Sequence, residues 1–182
     1  MKQLTIANIL FERYINLHTD QQLVPYIDEI WDMLQKSYAS IGGFKSAKSK
    51  EDLINKTGLA KLVRRDGKIV AIKIYKDELG RKSIAAGTDG SMQGKEGLMK
   101  MSQEDVKMNR AWGEFSGAME HIMLKKGGVP IPNTLVSDIL GKPVESLDPD
   151  GYHYTREIQG ELHKKIMIGD VNKLLNLLQN RN

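Results

Sequence analysis

The chain has 182 residues, 40% of them apolar and 27% charged, the usage of an ordinary folded domain rather than of a disordered or collagen-like chain. Its 27 Lys and Arg against 23 Asp and Glu leave a net charge of +4, which suits phosphate-bearing ligands without demanding nucleic acid. No cysteine is present, which excludes disulfides, thiolate metal sites and a cysteine nucleophile together and fits a reducing cytoplasm. Apolar runs fall far short of the roughly 20 residues that cross a bilayer, and the start of the chain carries no signal-peptide pattern. A cytoplasmic protein, with neither membrane nor nucleic acid as partner, is the expectation.

Gln3 to Phe11 is apolar with little alternation and reads as a first strand or the start of a helix. Leu23, Ile27, Ile30, Trp31, Leu34 and Tyr38 recur at threes and fours and predict an amphipathic helix over Leu23–Ile41. Pro25 fits only its first turn, and Gly42-Gly43 end it. A short helix over Glu51–Lys56 follows. Leu59–Arg65, Lys68–Tyr75 and Arg81–Gly87 then alternate around turns at Asp66-Gly67 and Asp77 to Gly80, predicting an antiparallel meander.

Thr88 to Lys100 reads as a Gly-rich loop, and Ser102 with Asp105 as a capping box. Met108, Trp112, Phe115, Met119 and Ile122 repeat at fours and threes and predict one long helix over Ser102–Lys126, stopped by Gly127-Gly128. Val129 to Leu135 reads as extended and Thr134 to Leu140 as a short helix. After the turn Asp148-Pro149-Asp150-Gly151, Tyr152–Ile158 and His163–Ile168 predict a second hairpin about Gly160. Asp170 caps a final helix bearing Leu174, Leu175, Leu177 and Leu178. The expected division is one domain over residues 1–169 and a packing helix over 170–182.

This order of elements resembles the GCN5-related N-acetyltransferase (GNAT) family, the acyl-coenzyme A-dependent transferases. Three stretches carry the resemblance: IWDMLQKSYASIGGF (Ile30 to Phe44), the meander running into AAGTDGSMQGKEG (Ala85 to Gly97), and GYHYTREIQGELHKKIMIG (Gly151 to Gly169). The last is also similar to the ends of acetyltransferase-like proteins encoded by bacteriophages. The resemblance implies an α/β (α+β) fold with a mixed, mainly antiparallel central sheet flanked by helices. It implies acetyl-coenzyme A as cofactor, its pyrophosphate received by Gln93, Gly94, Lys95 and Gly97, with Asn133 at a polar position the family often has. Glu96 and Leu98 depart from the family pattern, standing where it has Gly and where it has Gly or Ala.

Amine acetylation needs a group to take the amine's proton and another to return one to the leaving thiolate. Asp89, Ser137 and Tyr152 are the candidate catalytic residues. Two functions follow: an N-acetyltransferase acting on a small-molecule or protein amine, or a catalytically degenerate relative that acts by binding a partner protein. A phage accessory or counter-defence factor working in the host cytoplasm would be an example of the second. Tyr152, Tyr154 and Arg156 alternate and would share one face of a strand, with His153 on the other. His18, His121, His153 and His163 show no i, i+4 pairing and no HExxH, so no metal site is expected.

Overall fold

The computed structural model describes residues 13–148 and 151–181; the apolar segment Gln3 to Phe11 lies outside them, as do Pro149 and Asp150. The chain divides into two compact units, one holding the residues up to Lys76 with Ile84–Met101, the other Asp77–Ser83 with the residues from Ser102.

The first unit opens with β1 (Arg13–Leu17) and α1 (Asp20–Leu23), a 3-10 turn at Val24–Tyr26, α2 (Ile27–Ser37) and a second 3-10 turn at Ala39–Ile41. The single helix expected over Leu23–Ile41 is therefore broken. Pro25, which lacks an amide hydrogen, sits at the start of the first 3-10 turn, and Gly42 at φ +87° ends the second. α3 (Lys50–Lys56) follows, capped by the Ser49 hydroxyl, which accepts from the Asp52 amide at 3.1 Å.

β2 (Leu59–Arg65) and β3 (Lys68–Asp77) then form the expected hairpin. Its turn residues Asp66 and Gly67 take φ of +50° and +77°, the left-handed pair that a two-residue hairpin needs. Strand order in this unit is β1-β2-β3-β4, where β4 (Arg81–Thr88) enters from the second unit. The register decides which residues face where. Ala60, Leu62, Ile72 and Ile74 pack with Ile30, Leu34 and Leu53 in one apolar core. Val63 and Ala71 face the opposite side, against α4 (Met92–Lys107), whose residues up to Met101 belong to this unit.

In the second unit the strand order is β4-β5-β8-β7-β6, formed by β5 (Trp112–Phe115), β6 (Glu145–Ser146), β7 (His153–Ile158) and β8 (Glu161–Ile168). β4 and β5 run parallel at Lys82↔Trp112 and Ser83↔Gly113, whereas β5–β8, β7–β8 and β6–β7 are antiparallel, as are β1–β2 and β2–β3. The fold is thus mixed α/β with a mainly antiparallel sheet. The β7–β8 turn is again two residues, Gln159 and Gly160, at φ +51° and +81°.

The long helix expected over Ser102–Lys126 does not exist. α4 begins ten residues earlier and stops at Lys107, β5 follows, and α5 (Gly117–Lys125) is separate. Asn109 at φ +44° turns the chain, and the Asn109 and Arg110 amides close on the carbonyls of Val106 and Asp105. Ser102 and Asp105 are therefore not a cap but buried positions inside α4. Trp112 and Phe115 lie on opposite faces of β5. Trp112 packs with Tyr154, Met167, Ile139 and Leu174; Phe115 packs with Met123, Ile166 and Ile168.

The segment read as extended over Val129 to Leu135 contributes one bridge, Pro130↔Ile168, before α6 (Asn133–Leu140) begins. α7 (Val171–Gln179) ends the described chain, with Asp170 as its cap.

Candidate functional site

In the first unit the strand β4 runs through a three-residue loop, Asp89 to Ser91, into the N-terminus of α4. Its end is fixed on α2: the Ala86 amide donates to the Tyr38 hydroxyl at 3.3 Å and the Thr88 amide to the Ser37 hydroxyl at 3.3 Å. Burial pushes the Tyr38 phenol up from its ordinary value, so it stays a neutral partner. The loop then folds on itself. Asp89 accepts at one carboxylate oxygen from the Ser91 amide (2.9 Å) and the Ser91 hydroxyl (2.5 Å). That hydroxyl in turn accepts from the Gly94 amide at 3.0 Å, and the Ser91 carbonyl accepts from the Lys95 amide. Among the described residues this leaves the first-turn amides of Met92 and Gln93 pointing out of the helix.

Gln93, Gly94, Lys95 and Gly97 are thus in the first two turns of a helix, not in a mobile loop. Gly94 and Gly97 are buried, one turn apart, on the side facing the strands. A Cβ at Gly94 would collide with the Val70 carbonyl and come within 2.6 Å of the Asp89 carboxylate; one at Gly97 would meet Val63 at 3.0 Å. Both glycines let the helix backbone approach the sheet. Lys95 and Glu96 are exposed. Gly94→Ala is therefore expected to destabilise the protein by about 1–3 kcal/mol through overpacking, and Lys95→Ala by less than about 0.5 kcal/mol. Urea denaturation measures both, and a neutral Gly94→Ala would mean that α4 is not seated on β3.

In the second unit a buried ionic cluster centres on Glu114 of β5. Its carboxylate is bonded by Arg156, accepts from the Tyr154 hydroxyl at 3.0 Å and lies 3.4 Å from the Lys82 ammonium. Burial alone would raise the Glu114 carboxyl, but the Lys82 and Arg156 charges and the bonds from Arg156 and Tyr154 outweigh it and hold it low. Burial and the adjacent carboxylate push the Tyr154 phenol well above its ordinary range. Lys165, cross-strand from Tyr154, is pushed down by burial. Lys82 also stacks over the Trp112 ring at 4.8 Å.

The remaining residues singled out in the sequence also fall in this unit. Asn133, at the start of α6, donates its side-chain amide to the Ser146 hydroxyl and the His153 carbonyl, each at 2.8 Å. Ser137, one turn on, accepts from the Val144 amide at 3.3 Å. Tyr152 donates its amide to Asp148 and packs beside Phe115 and Ile166, whereas Tyr154 and Arg156 meet at Glu114. His153 faces away from Glu114 and bridges two carboxylates, Asp148 and Glu120, at 2.6 Å each. The structure thus places Asp89, Gln93, Gly94, Lys95 and Gly97 in the first unit, and Asn133, Ser137 and Tyr152 in the second.

Glu114 and Glu120 had no signal at the sequence level beyond their charge. Reading Trp-Gly-Glu-Phe as a strand would have shown one carboxylate among buried positions. Among the described residues no group of three His, Cys, Asp or Glu could hold a metal ion, and no helix is long and apolar enough to cross a membrane.

Set against known proteins, the chain matches no family model and no curated sequence. Solved structures do match. A ribosomal-protein alanine N-acetyltransferase from Escherichia coli aligns over 86% of this chain and 91% of its own, with a TM-score of 0.52 at 15% sequence identity. An IAA acetyltransferase from Bacillus cereus aligns over 86% and 97%, with a TM-score of 0.49 at 8% identity. The fold is thus like that of the N-acetyltransferase from Escherichia coli.

Proposed function

We propose that the chain is an acyl-coenzyme A-dependent N-acetyltransferase whose acceptor is a small-molecule or protein amine. The observation that carries this reading is the passage from β4 through residues 89–91 into α4, a helix long enough for a dipole and seated by glycines. A pyrophosphate fits its donors: the Met92 and Gln93 amides at the helix N-terminus, with the exposed Lys95 adding charge. The likeness in fold to an N-acetyltransferase adds support. Bound coenzyme A would supply a thioester carbonyl open to attack by an amine. Asp89, Ser137 and Tyr152 are the proton-handling candidates within this proposal. Asp89→Asn, Ser137→Ala and Tyr152→Phe test them by loss of turnover with retained cofactor binding.

Acetyl-coenzyme A should raise the melting temperature, with about 2.7 kcal/mol of stabilisation at a hundredfold excess over Kd. Acetyl-pantetheine, which lacks the pyrophosphate, should do far less. Lys95→Glu should weaken the shift most at low salt. Wild-type protein that shows no shift at millimolar acetyl-coenzyme A overturns the proposal.

One observation favours the second reading, a non-catalytic acetyltransferase-like chain that binds a protein partner, as a phage accessory or counter-defence factor would. The Asp89 carboxylate already occupies the Ser91 amide and places negative charge where a phosphate would approach.

A further inference from the structure

We propose that His153 is a pH-sensitive latch that, when doubly protonated, ties Asp148, which follows β6, to Glu120 of helix α5. Its two ring nitrogens meet carboxylates from two different elements: Nδ1 lies 2.6 Å from Asp148 of the loop, and Nε2 lies 2.6 Å from Glu120 of α5. A neutral imidazole carries one N–H and one bare lone pair. It can satisfy one of these carboxylates and must set its lone pair against the other. Both contacts stand together only when both nitrogens carry hydrogen, as in the imidazolium.

The latch shares its carboxylate with the start of β7. Asp148 also accepts from the amides of Tyr152 (3.0 Å) and His153 (3.2 Å), so the same carboxylate that faces the ring fixes the entry to β7. Asn133 of α6 donates its backbone amide to Gly151, and the Leu147 amide donates to the His153 carbonyl at 2.8 Å. Releasing one carboxylate removes either the ionic tie to Glu120 of α5 or the tie between the ring and the Asp148 carboxylate that also accepts from the Tyr152 amide. All three side chains of the latch are about a quarter exposed, so protons reach them while water screens them only in part.

The charged groups facing the ring are Glu120 from α5, Asp148 from the loop and Lys164 from β8. The Glu120 bond, followed by the Asp148 bond, outweighs burial and the Lys164 charge and raises the imidazole above its ordinary value. Burial would raise the Asp148 carboxyl, but the bonds from Tyr152 and His153 hold it low. The sign follows. A group raised in the closed state contributes fully below its free value of about 6.5 and loses that contribution as pH rises to the raised value. The latch therefore opens on the alkaline side.

Long-range proton–nitrogen NMR of the His153 ring gives the direct test. The ring should be doubly protonated at pH 6.5 and titrate above it. Amide protection at Gly151, Tyr152 and His153, corrected for intrinsic exchange, should fall by up to tenfold per pH unit from about 6.5 until the raised value is passed. In Glu120→Gln the amide can donate to the bare Nε2, so the neutral ring is satisfied and the protection becomes independent of pH. A wild-type ring that titrates at or below 6.5 overturns the latch. So does a Glu120→Gln variant with the wild-type pH profile. The wild-type titration decides alone if the variant does not fold.

Discussion

Glu114→Ala is expected to cost about 3 kcal/mol of stability in chemical denaturation, because it removes the shared counter-charge of the buried Lys82 and the partly buried Arg156 rather than a single contact. The carboxylate is 8% exposed and is the shared partner of Arg156, Lys82 and the Tyr154 hydroxyl. Without it, Arg156 loses its carboxylate partner, and Tyr154 loses the acceptor for a hydroxyl in the apolar core. Lys82 keeps Glu78 at 3.6 Å and suffers less. The double variant Glu114→Met with Arg156→Leu should recover much of the loss, since a buried ion pair contributes little over an apolar pair of similar volume. A single variant within about 0.5 kcal/mol of wild type would mean that water reaches the cluster.

The same carboxylate sets a pH dependence of known sign. Its folded pKa lies below the ordinary carboxylate value. Its contribution is therefore present above that ordinary value and is lost as pH falls through the depressed one. Wild-type protein should lose stability on the acid side more steeply than Glu114→Gln, which has no carboxyl to titrate.

What was legible in the sequence was what neighbouring residues decide among themselves. Asp66-Gly67 is a hairpin turn because both residues tolerate positive φ, and the strands on either side alternate; the structure has that turn. Asp170 caps the last helix through the Lys173 amide three residues on, again a local relation.

The failures have a common cause. Gly90, Gly94 and Gly97 read as a flexible loop because glycine is rare inside helices, yet two of them are there so that a helix can touch a sheet. Nothing in their own neighbourhood says so; the reason is Val63 and Val70, far away in sequence. The Glu114 cluster joins Lys82, Glu114, Tyr154 and Arg156, which strand order alone brings together. His153 and Glu120 are likewise 33 positions apart.

Trp112 and Phe115 failed differently. Apolar residues three apart share a helical face, but on a strand they point to opposite sides. Both faces of β5 are covered by apolar side chains, so both residues are buried and the spacing imitates a helix. Gly113 was the contrary signal: a Cβ there would lie 2.9 Å from the Phe115 ring and 3.1 Å from the Ser83 carbonyl.

That crowding gives a test of β5 itself. Phe115→Ala is expected to cost about 3–5 kcal/mol, the range for removing a buried phenylalanine that leaves a cavity. Phe115 is 6% exposed and packs with Met123, Ile166 and Ile168. Gly113→Ala should also destabilise, because its methyl group meets the ring. The two changes touch the same space, so their effects should not add. In the double variant the alanine at 113 escapes the ring clash and keeps only the crowding against Ser83, making the pair less costly than the sum. A helix running through these residues would place Gly113 and Phe115 on different faces and give additive losses. Urea denaturation of the four proteins in the cycle separates strand from helix at this point in the chain.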